Sequence, residues 1–544
     1  MRDFQQPGRS AAYAAHGMAA TSHPLSTLTA VDVLRAGGNA VDAAIAAHAV
    51  QCVVEPQSTG IGGDCWAIVA TPDGAVHALN SSGWAPQSAT VDRVTGSVLD
   101  EVGKDGVREA GIGPGSRIGQ LSAHAVTVPG APAGWHALLE AHGTRSLDEL
   151  LQPAIDHAVN GFVVTPRVAF DWQRAESTLR NSEAGRRIYL PSDRVPVPGD
   201  VMALPLLGET FRRLGREGWR AFYEGELAAR MVASLQRFGG FHQIGDFAEF
   251  VPEWTEPLRS SYRSVDILEL PPNGHGITAL ELLNILETQD LAALDPLGAD
   301  RYHFEAEATR LAFRDRDRHV ADRRHVPVPV ERLLDKDHAR KLAASIDRGR
   351  AMSLLPDPGL DPHPDTVYLS VVDRDGTAIS LINSVYDSFG SGLVCPDTGV
   401  VFHSRGRAFR LDEHHPNVIA PRKRPLHTII PGMAMKDGRV WACFGVMGGD
   451  YQPVGHAHVI TNMRDYGMDP QQAVSSPRAM AYPGPLKVER GLPERTMLDL
   501  AMKGHVIAMA DSPLGGGQVI RIDHERGVLV GGSDPRKDGM ALGY

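Results

Sequence analysis

The hydroxyl of Thr366 is the first candidate for chemistry in this sequence. The residue follows AMSLLPDPGLDPHPD, a stretch rich in proline, aspartate and glycine, and directly precedes VYLSVV. The stretch is typical of an exposed, mobile loop, and the alternation after it predicts a strand. An isolated Asp-Thr pair in such a place is most often ordinary β-structure. Because a threonine hydroxyl is a weak nucleophile, a catalytic role would also require an activating base.

Two histidines and two glycine runs are weaker candidates. His456 and His458 have no third ligand near them in the sequence, so we expect structural roles for them. The runs at 60–63 and 515–517 lack the lysine and hydroxyl residue of a phosphate loop and are interpreted as close-packed turns. Four cysteines without CxxC spacing are predicted to be buried free thiols: Cys52, Cys65, Cys395 and Cys443. We therefore expect no metal and no cofactor.

The elements around this threonine are of both kinds. Residues 24–50 are predicted to form a helical hairpin, with Pro24 in a first turn and a Gly-Gly-Asn stop at 37–39. Apolar residues at three- and four-residue spacing predict a mainly helical region from 125 to 350. Two alternating runs around Asp-Arg-Asp-Gly predict a β-hairpin over 367–386. Further strands are predicted at GRVWACFGV, GHVIAMA, QVIRID and GVLVGG, and a helix at GHAHVITNMRDYG.

Composition and charge argue against several classes of function. The 544 residues are 42% hydrophobic and 22% charged, which is ordinary for a large globular core. A net charge of -11 and short basic clusters leave no electrostatic footprint for nucleic acid. The N-terminus lacks the apolar core of a secretory signal, and no stretch reaches the ~20 apolar residues of a membrane span. We expect a cytoplasmic protein without a membrane partner, folded as one intertwined unit.

Several motifs occur together in a fixed order. They are VLRAGGNAVDAAIAA, EPQSTGIGGD, PPNGHGITALELLNILE, EAEATRLAFRDRD, DTVYLSVVDRDG, FGSG, KRP and GGSDPRKDG, before a final Gly-Tyr. Over nearly the whole chain they resemble the γ-glutamyltranspeptidases, in which Thr-x-x-x-Ser-Val-Val-Asp-x-x-Gly-x-Ala begins the small subunit. The resemblance implies the α+β fold of the N-terminal-nucleophile hydrolases, an αββα sandwich of two stacked sheets between helical layers.

The resemblance also implies two subunits cut from one precursor, a large subunit of residues 1–365 and a small subunit of residues 366–544. This class activates the threonine with its own freed α-amine, whose pKa near ~7.7 to 8.0 suits proton transfer at neutral pH. Attack of the Thr366 hydroxyl on the Asp365 carbonyl would form an ester, and hydrolysis of that ester would free both groups. Because the nitrogen is an amide until then, the precursor should be inactive.

Further positions match the family's catalytic machinery. Gly448 and Gly449 occupy the place of its Gly-Gly loop, so their backbone N–H groups are candidates for an oxyanion hole, with a plain structural turn as the alternative. Ser384 matches the family's second threonine, which hydrogen-bonds the nucleophile. Tyr386 stands where asparagine is usual, and we expect it to line a different pocket wall.

The positions that select a γ-glutamyl substrate differ from the family's pattern. Ser82 stands where known γ-glutamyl enzymes have the arginine that binds the substrate α-carboxylate. Arg405 and Ala408 stand where they have the residues that bind the α-amine, and His427 and Thr428 replace a serine pair. Leaving a buried substrate ammonium unpaired beside Arg405 would be costly, so glutathione is not the expected substrate.

An arginine in the place of the amine-binding residue could bind an acid instead. A guanidinium forms a bidentate pair with a carboxylate, and Arg405 is the candidate. Arg407 is interpreted as a solvated loop residue. The combination of Ser-x-Tyr-x-x-Phe-Gly-Ser-Gly and Arg-Gly-x-x-Phe resembles the divergent branch that includes oxamate amidohydrolase and the transpeptidase-like acylases.

The expected function is that of an autoprocessing amidohydrolase or acyltransferase, which cleaves a small acid-bearing amide through an acyl-enzyme on Thr366. A true γ-glutamyltransferase or glutathione hydrolase is one alternative. An unprocessed relative that binds a small acid without catalysis is another. The sequence leaves open whether water or an amine resolves the ester, and whether two heterodimers assemble into a dimer.

Overall fold

The computed structural model describes residues 5, 8–97, 117–353 and 366–544. Asp365 and the predicted loop from residue 354 onward lie outside the described residues. The strands are β1 (Ala12–Ala14), β2 (Met18–Thr21), β3 (Asp64–Ala70), β4 (Val76–Ser81), β5 (Phe162–Val163), β6 (Val201–Met202), β7 (Glu253–Thr255), β8 (Leu258–Tyr262), β9 (Val265–Glu269), β10 (Val367–Val372), β11 (Ala378–Ser384), β12 (Gly432–Lys436), β13 (Arg439–Met447), β14 (Ala479–Met480), β15 (Leu486–Val488), β16 (Ile507–Met509), β17 (Gly516–Asp523), β18 (Val528–Ser533) and β19 (Met540–Gly543).

The helices precede, separate and follow these strands. They are α1 (Pro24–Arg35), α2 (Ala40–Val54), α3 (described over 91–97), α4 (Ala131–His142), α5 (Leu147–Asn160), α6 (Pro166–Arg174), α7 (Glu176–Leu179), α8 (Glu183–Tyr189), α9 (Pro205–Glu217), α10 (Gly225–Arg237), α11 (Ile244–Ala248), α12 (Gly276–Leu286), α13 (Ala299–His319), α14 (Val330–Leu334), α15 (Lys336–Ala343), α16 (Gln452–Arg464), α17 (Pro470–Ser475) and α18 (Glu494–Met502).

Two seven-stranded sheets stack face to face. The first has the order β1-β18-β17-β13-β12-β9-β8 and the second the order β19-β2-β10-β11-β3-β4-β7. Their inner faces share one apolar layer, in which Trp66 and Tyr368 of the second sheet meet Cys443 and Ile520 of the first. Helices α1, α2, α4 and α5 cover the outer face of the second sheet, and α12, α13 and α16 cover that of the first. The αββα sandwich expected from the sequence is confirmed.

The hairpin β10–β11 lies in the middle of the second sheet. Its strands pair in antiparallel register, with Val367 opposite Asn383, which confirms the predicted hairpin. Alternation decides which side chain faces which layer. Leu369 contacts the helical layer, whereas Tyr368 contacts the other sheet. Because both faces are covered, every residue of the two strands is buried.

Other predicted elements also form. The predicted helical hairpin is α1 and α2; Pro24 opens α1, and the side chain of Asn39 caps α2 in a capping box. The predicted helix GHAHVITNMRDYG lies largely within α16, which begins three residues earlier. The region from 125 to 350 is mainly helical but also contains β5 to β9, which helical periodicity did not predict. In the described part of the chain, no helix is long and apolar enough to cross a membrane.

Both sheets combine strands from before and after Thr366. In the first sheet β1 pairs with β18 and β9 pairs with β12. In the second sheet β2 pairs with β10 and β19, and β3 pairs with β11. Thr366 directly precedes β10, so it lies at the end of a central strand of the second sheet.

Candidate active site

Three adjacent strands bring Thr366, Ser384 and Asp64 into one row. The Thr366 side chain is buried, and its Oγ1 donates a hydrogen bond to Ser384 Oγ at 3.1 Å. Ser384 is the last residue of β11 and lies opposite Asp64, the first residue of β3. The two hydroxyls that the sequence analysis singled out therefore lie in contact, although they are 18 positions apart.

The turn after β11 places Tyr386 against Arg405. Ser384 Oγ accepts a second hydrogen bond, from the Tyr386 N–H at 2.8 Å. Tyr386 has φ of 78°, a left-handed conformation that is uncommon for a residue with a side chain. Its ring lies under the guanidinium of Arg405, 4.3 Å from the centroid to Cζ. Burial, and after it the charges of Asp387 and Asp450, raise the pKa of Tyr386 to about 12, so its phenol is neutral.

Gly448 and Gly449 form the loop between β13 and α16. Their φ angles of 124° and 56° lie in the left-handed region that favours glycine. Among the described residues, neither N–H donates a hydrogen bond to the backbone or to a side chain. The loop is held by Asp450, whose Oδ1 accepts from Arg316 Nη1 at 2.6 Å. Because the charge of Asp450 acts on Tyr386, this loop lies close to the Thr366 end of the sheet.

Arg405 opens a short 3-10 turn and is fully buried. Its Nη1 donates to Thr428 Oγ1 at 2.8 Å, whereas Nε and Nη2 have no hydrogen-bond partner among the described residues. Asp64 Oδ2 lies 3.7 Å from Nε, which is beyond hydrogen-bond distance. Burial lowers the pKa of Arg405 to about 10, so the guanidinium stays charged at neutral pH. Unused donors on a buried guanidinium fit a pair of anionic oxygens.

Asp64 is the centre of a charged cluster behind Arg405. Its Oδ2 accepts from His427 Nε2 at 2.8 Å and lies 3.4 Å from His403 Nδ1. Its Oδ1 accepts from the Gly83 N–H at 2.9 Å. Burial alone would raise the pKa of Asp64, but the two histidines outweigh burial and hold that pKa well below its usual range. Asp64 is therefore an anion that partly offsets the charge of Arg405.

His427 is held in one neutral tautomer. Burial, and after it the charge of Arg405, lowers the pKa of His427 to about 3. Its Nε2–H donates to Asp64, its Nδ1 accepts from the Ile429 N–H at 3.3 Å, and its ring stacks on Trp66. Neutral His427 thus donates a hydrogen bond to Asp64, and both ring nitrogens are used within the protein.

Thr428 and Ser82 belong to two different hydrogen-bond networks. The carbonyl of Thr428 accepts from His275 Nε2 at 2.8 Å, which fixes the hydroxyl that Arg405 uses. Ser82 donates to Asn80 Oδ1 at 2.7 Å and accepts from Asn273 Nδ2 at 3.3 Å. The Ser82 hydroxyl is therefore engaged by amide side chains, and its role toward substrate stays a prediction.

The interpretation of Arg407 as a solvated loop residue is wrong. Its side chain is 12% exposed, and its Nη1 pairs with Asp387 Oδ1 at 3.0 Å. Asp387 Oδ2 also accepts from Ser404 Oγ at 2.6 Å. This partly buried ion pair fixes the turn that carries Arg405, so charge composition alone was a poor guide to exposure.

Two residues of the cluster were missed in the sequence. Asp64 ends the motif EPQSTGIGGD, which was the available signal, and His403 begins HSRGRAF. Positions 64, 403 and 427 meet only through the pairing of distant segments, which residue spacing does not reveal.

The other singled-out residues have structural contacts. His456 Nδ1 lies 2.6 Å from Glu269 Oε1, and His458 Nδ1 lies 3.1 Å from Glu305 Oε1. The histidines therefore attach α16 to β9 and α13, as expected of structural residues. The four cysteines are buried free thiols, also as expected.

Two stacked sheets between helical layers, with a hydroxyl at the start of a central strand, define the fold of the N-terminal-nucleophile hydrolases. The crystal structure of cephalosporin acylase from Bacillus halodurans superposes with a TM-score of 0.90 at 37% sequence identity, and the match covers 100% of this chain and 99% of that one.

Sequence comparison identifies the family within this class. The family described as Gamma-glutamyltranspeptidase matches residues 26–544. The glutathione hydrolase-like YwrD proenzyme of Bacillus subtilis is 36% identical over 537 residues, covering 97% of this chain and 98% of that protein. The oxamate amidohydrolase proenzyme of Klebsiella pneumoniae is 34% identical over 545 residues, covering 97% and 98%. The chain belongs to the γ-glutamyltranspeptidase family and is an enzyme of the N-terminal-nucleophile type.

Proposed function

We propose that this protein is a self-processing amidohydrolase or acyltransferase whose acyl substrate carries a carboxylate bound by Arg405. The observation that carries the proposal is the fully buried guanidinium with Nε and Nη2 unused among the described residues. A substrate carboxylate would accept hydrogen bonds from both positions, and charge-assisted pairs of this kind are among the strongest in proteins.

The surroundings of Arg405 support an anion rather than a cation as ligand. Arg405 is compensated by Asp64 at 3.7 Å, but Asp64 is itself held by two histidines. A substrate ammonium group placed here would lie beside the guanidinium of Arg405, and no free carboxylate among the described residues would be available to pair with it. Two like charges in a buried site without such a partner are costly. A γ-glutamyl substrate, which carries an α-amine, therefore fits less well than an acid that lacks one.

Thr366 is the proposed nucleophile. After cleavage its α-amine would take the hydroxyl proton as the oxygen attacks the substrate amide, and the Gly448 and Gly449 N–H groups would stabilise the oxyanion. The resulting ammonium would return the proton to the leaving amine. Water or an acceptor amine would then resolve the ester on Thr366. Ser384 supports this role because its Oγ orients the attacking hydroxyl.

Relatives favour the same chemistry. Oxamate amidohydrolase and cephalosporin acylase are names for enzymes that act on amides, and several relatives are named proenzymes. We propose that the precursor of this chain is cut between Asp365 and Thr366 into residues 1–365 and 366–544. Glutathione hydrolase relatives make γ-glutamyl hydrolysis the competing activity to test.

The first experiment locates the cut. Purified wild-type protein should give two fragments on denaturing electrophoresis, and N-terminal sequencing of the smaller fragment should begin at Thr366. Thr366→Ala should remain one chain. Thr377→Ala is a matched control, because that threonine lies in the turn of the same hairpin and should leave cleavage intact. A fragment that starts elsewhere would refute the nucleophile assignment.

The second experiment tests the acid pocket. We would measure kcat/KM for oxamate, monoamides of dicarboxylic acids and a γ-glutamyl anilide, in wild type and in Arg405→Lys and Arg405→Ala. Loss of a charge-assisted bidentate pair should cost about 3 to 4 kcal/mol, or about 10²- to 10³-fold, in the alanine variant and less in the lysine variant. Arg310→Lys is the control for the general cost of changing a buried, ion-paired arginine.

Self-cleavage separates the two assignments. It should survive in both Arg405 variants, because it uses Thr366 rather than the acid pocket. If the γ-glutamyl anilide is the best substrate and Arg405→Ala leaves its turnover unchanged, the pocket assignment is wrong and γ-glutamyl hydrolysis replaces it.

A further inference from the structure

Three helices of the outer layer bring two carboxyl groups and an imidazole together, outside the cluster around Thr366. Glu281 lies on α12, Asp315 on α13 and His338 on α15. One ligand atom from each of the three lies within 4.8 Å of the other two. His338 Nε2 is 3.0 Å from Asp315 Oδ2 and 3.5 Å from Glu281 Oε1.

Hydrogen bonding within the protein leaves this group incomplete. The Glu281 side chain is 2% exposed, and its Oε1 has no hydrogen-bond partner among the described residues. Asp315 is 7% exposed and receives Arg314 Nε at 3.3 Å on its other oxygen. A single imidazole N–H cannot serve both carboxyl groups well. Two buried carboxylates side by side also repel each other unless a proton or a cation lies between them.

The spacing suits a metal ion. A cation with tetrahedral ligands at about 2.1 Å holds those ligands about 3.4 Å apart, and the two measured separations from His338 Nε2 lie on either side of that value. Carboxylate and imidazole are ligands that first-row divalent ions accept. The His338 side chain is 15% exposed, which leaves a path to solvent.

We propose that Glu281, Asp315 and His338 form a binding site for a first-row divalent cation, with Zn²⁺ as the best fit. The cation would join α12, α13 and α15 and would have a structural role. It takes no part in the proposed acyl transfer, so this site and the proposed function can fail separately.

The surroundings of Glu281 oppose its ionisation. Burial, and after it the neighbouring Asp315, raises the pKa of Glu281 well above its usual range, while Arg314 and Arg332 act in the opposite direction. His319 also lies near Asp315 and His338. Zn²⁺ would compete with protons for such a carboxyl group.

The test is calorimetric titration of the full-length, chelator-stripped protein with ZnCl₂. We expect about one Zn²⁺ per chain. Glu281→Gln is isosteric and His338→Ala alters a partly exposed side chain; each should weaken binding by at least about 100-fold. A Co²⁺ titration should give d–d absorption in wild type but in neither of these two ligand variants.

Matched controls identify the site. His303→Gln removes a ligand from another close group, His303, Glu307 and His505, and should leave binding unchanged. His319→Ala removes a neighbouring imidazole on α13, the helix that carries Asp315, and should also leave binding unchanged. Absence of stoichiometric binding in wild type overturns the proposal. So does unchanged binding in folded His338→Ala, or loss of binding in His303→Gln alone.

Discussion

Ser384 offers a sharp test of how the nucleophile is held. Its Oγ accepts from Thr366 Oγ1 at 3.1 Å and from the Tyr386 N–H at 2.8 Å. Ser384→Ala removes both acceptor positions. A neutral hydrogen bond contributes about 1 kcal/mol, and removing the acceptor of a buried N–H costs about 1 to 3 kcal/mol. We therefore expect destabilisation by about 1 to 3 kcal/mol.

Activity should fall for two reasons in this variant. The Thr366 hydroxyl loses the group that orients it, and the turn that holds the Tyr386 ring under Arg405 loosens. Together these should lower kcat/KM by about 10- to 100-fold, equivalent to about 1.4 to 2.8 kcal/mol, and self-cleavage should slow as well. The assay is kcat/KM with an acid-bearing amide, together with the rate of fragment formation in freshly refolded precursor.

Two variants make this prediction strict. Ser384→Thr keeps the hydroxyl and should retain most activity. Ser380→Ala removes a buried hydroxyl of the same strand that bonds Tyr368 at 2.8 Å, so it should destabilise without a comparable loss of turnover. Full activity in folded Ser384→Ala, or an equal loss in Ser380→Ala, would refute this assignment.

Three more outcomes follow from the same site. Asp64→Asn removes the anion that partly offsets the buried charge of Arg405 and should lower the free energy of unfolding by about 3 kcal/mol in urea titration. In the folded protein the pKa of His427 is lowered to about 3, so below pH 6.5 the unfolded chain binds a proton that the folded chain does not. The free energy of unfolding of wild type, relative to that of His427→Gln, should therefore fall by up to about 1.4 kcal/mol per pH unit below pH 6.5. Unfolding measured at pH 7.5 and 5.5 can check this. Gly448→Ala would place a Cβ 2.8 Å from Gly515 Cα, at a residue with positive φ, and should reduce kcat about 10²- to 10³-fold. Gly467→Ala is the control: Gly467 also has a positive φ but has open space around it, so this variant should lose stability and keep its kcat.

Local patterns were sufficient for the central hairpin. VYLSVV and AISLINS are two strand-like runs joined by a tight turn. Their β-branched residues are favoured in strands that are buried on both faces. Helices α1 and α2 were similarly predictable because Pro24 and Asn39 mark their starts by local chemistry. Family resemblance then supplied the order of the layers.

Long-range pairing was not predictable in the same way. Strands β8 and β9 lie within a helical region, and the place of β9 beside β12 depends on a partner far along the chain. The cluster around Asp64 was missed for the same reason, since His403 and His427 come from segments more than 300 residues away. The low exposure of Arg407 likewise depends on Asp387 and not on its own neighbours in sequence.

The interleaving of strands has a consequence for a cleaved molecule. A cut before Thr366 would leave hydrogen-bonded ladders between the two fragments in both sheets, including β1 with β18 and β3 with β11. Release of either fragment would then require melting of both sheets, so dilution would not separate the fragments. Cleavage would be a one-way event. The fragments would denature together in one transition. Halves expressed separately would each lack the partner strands that complete both sheets.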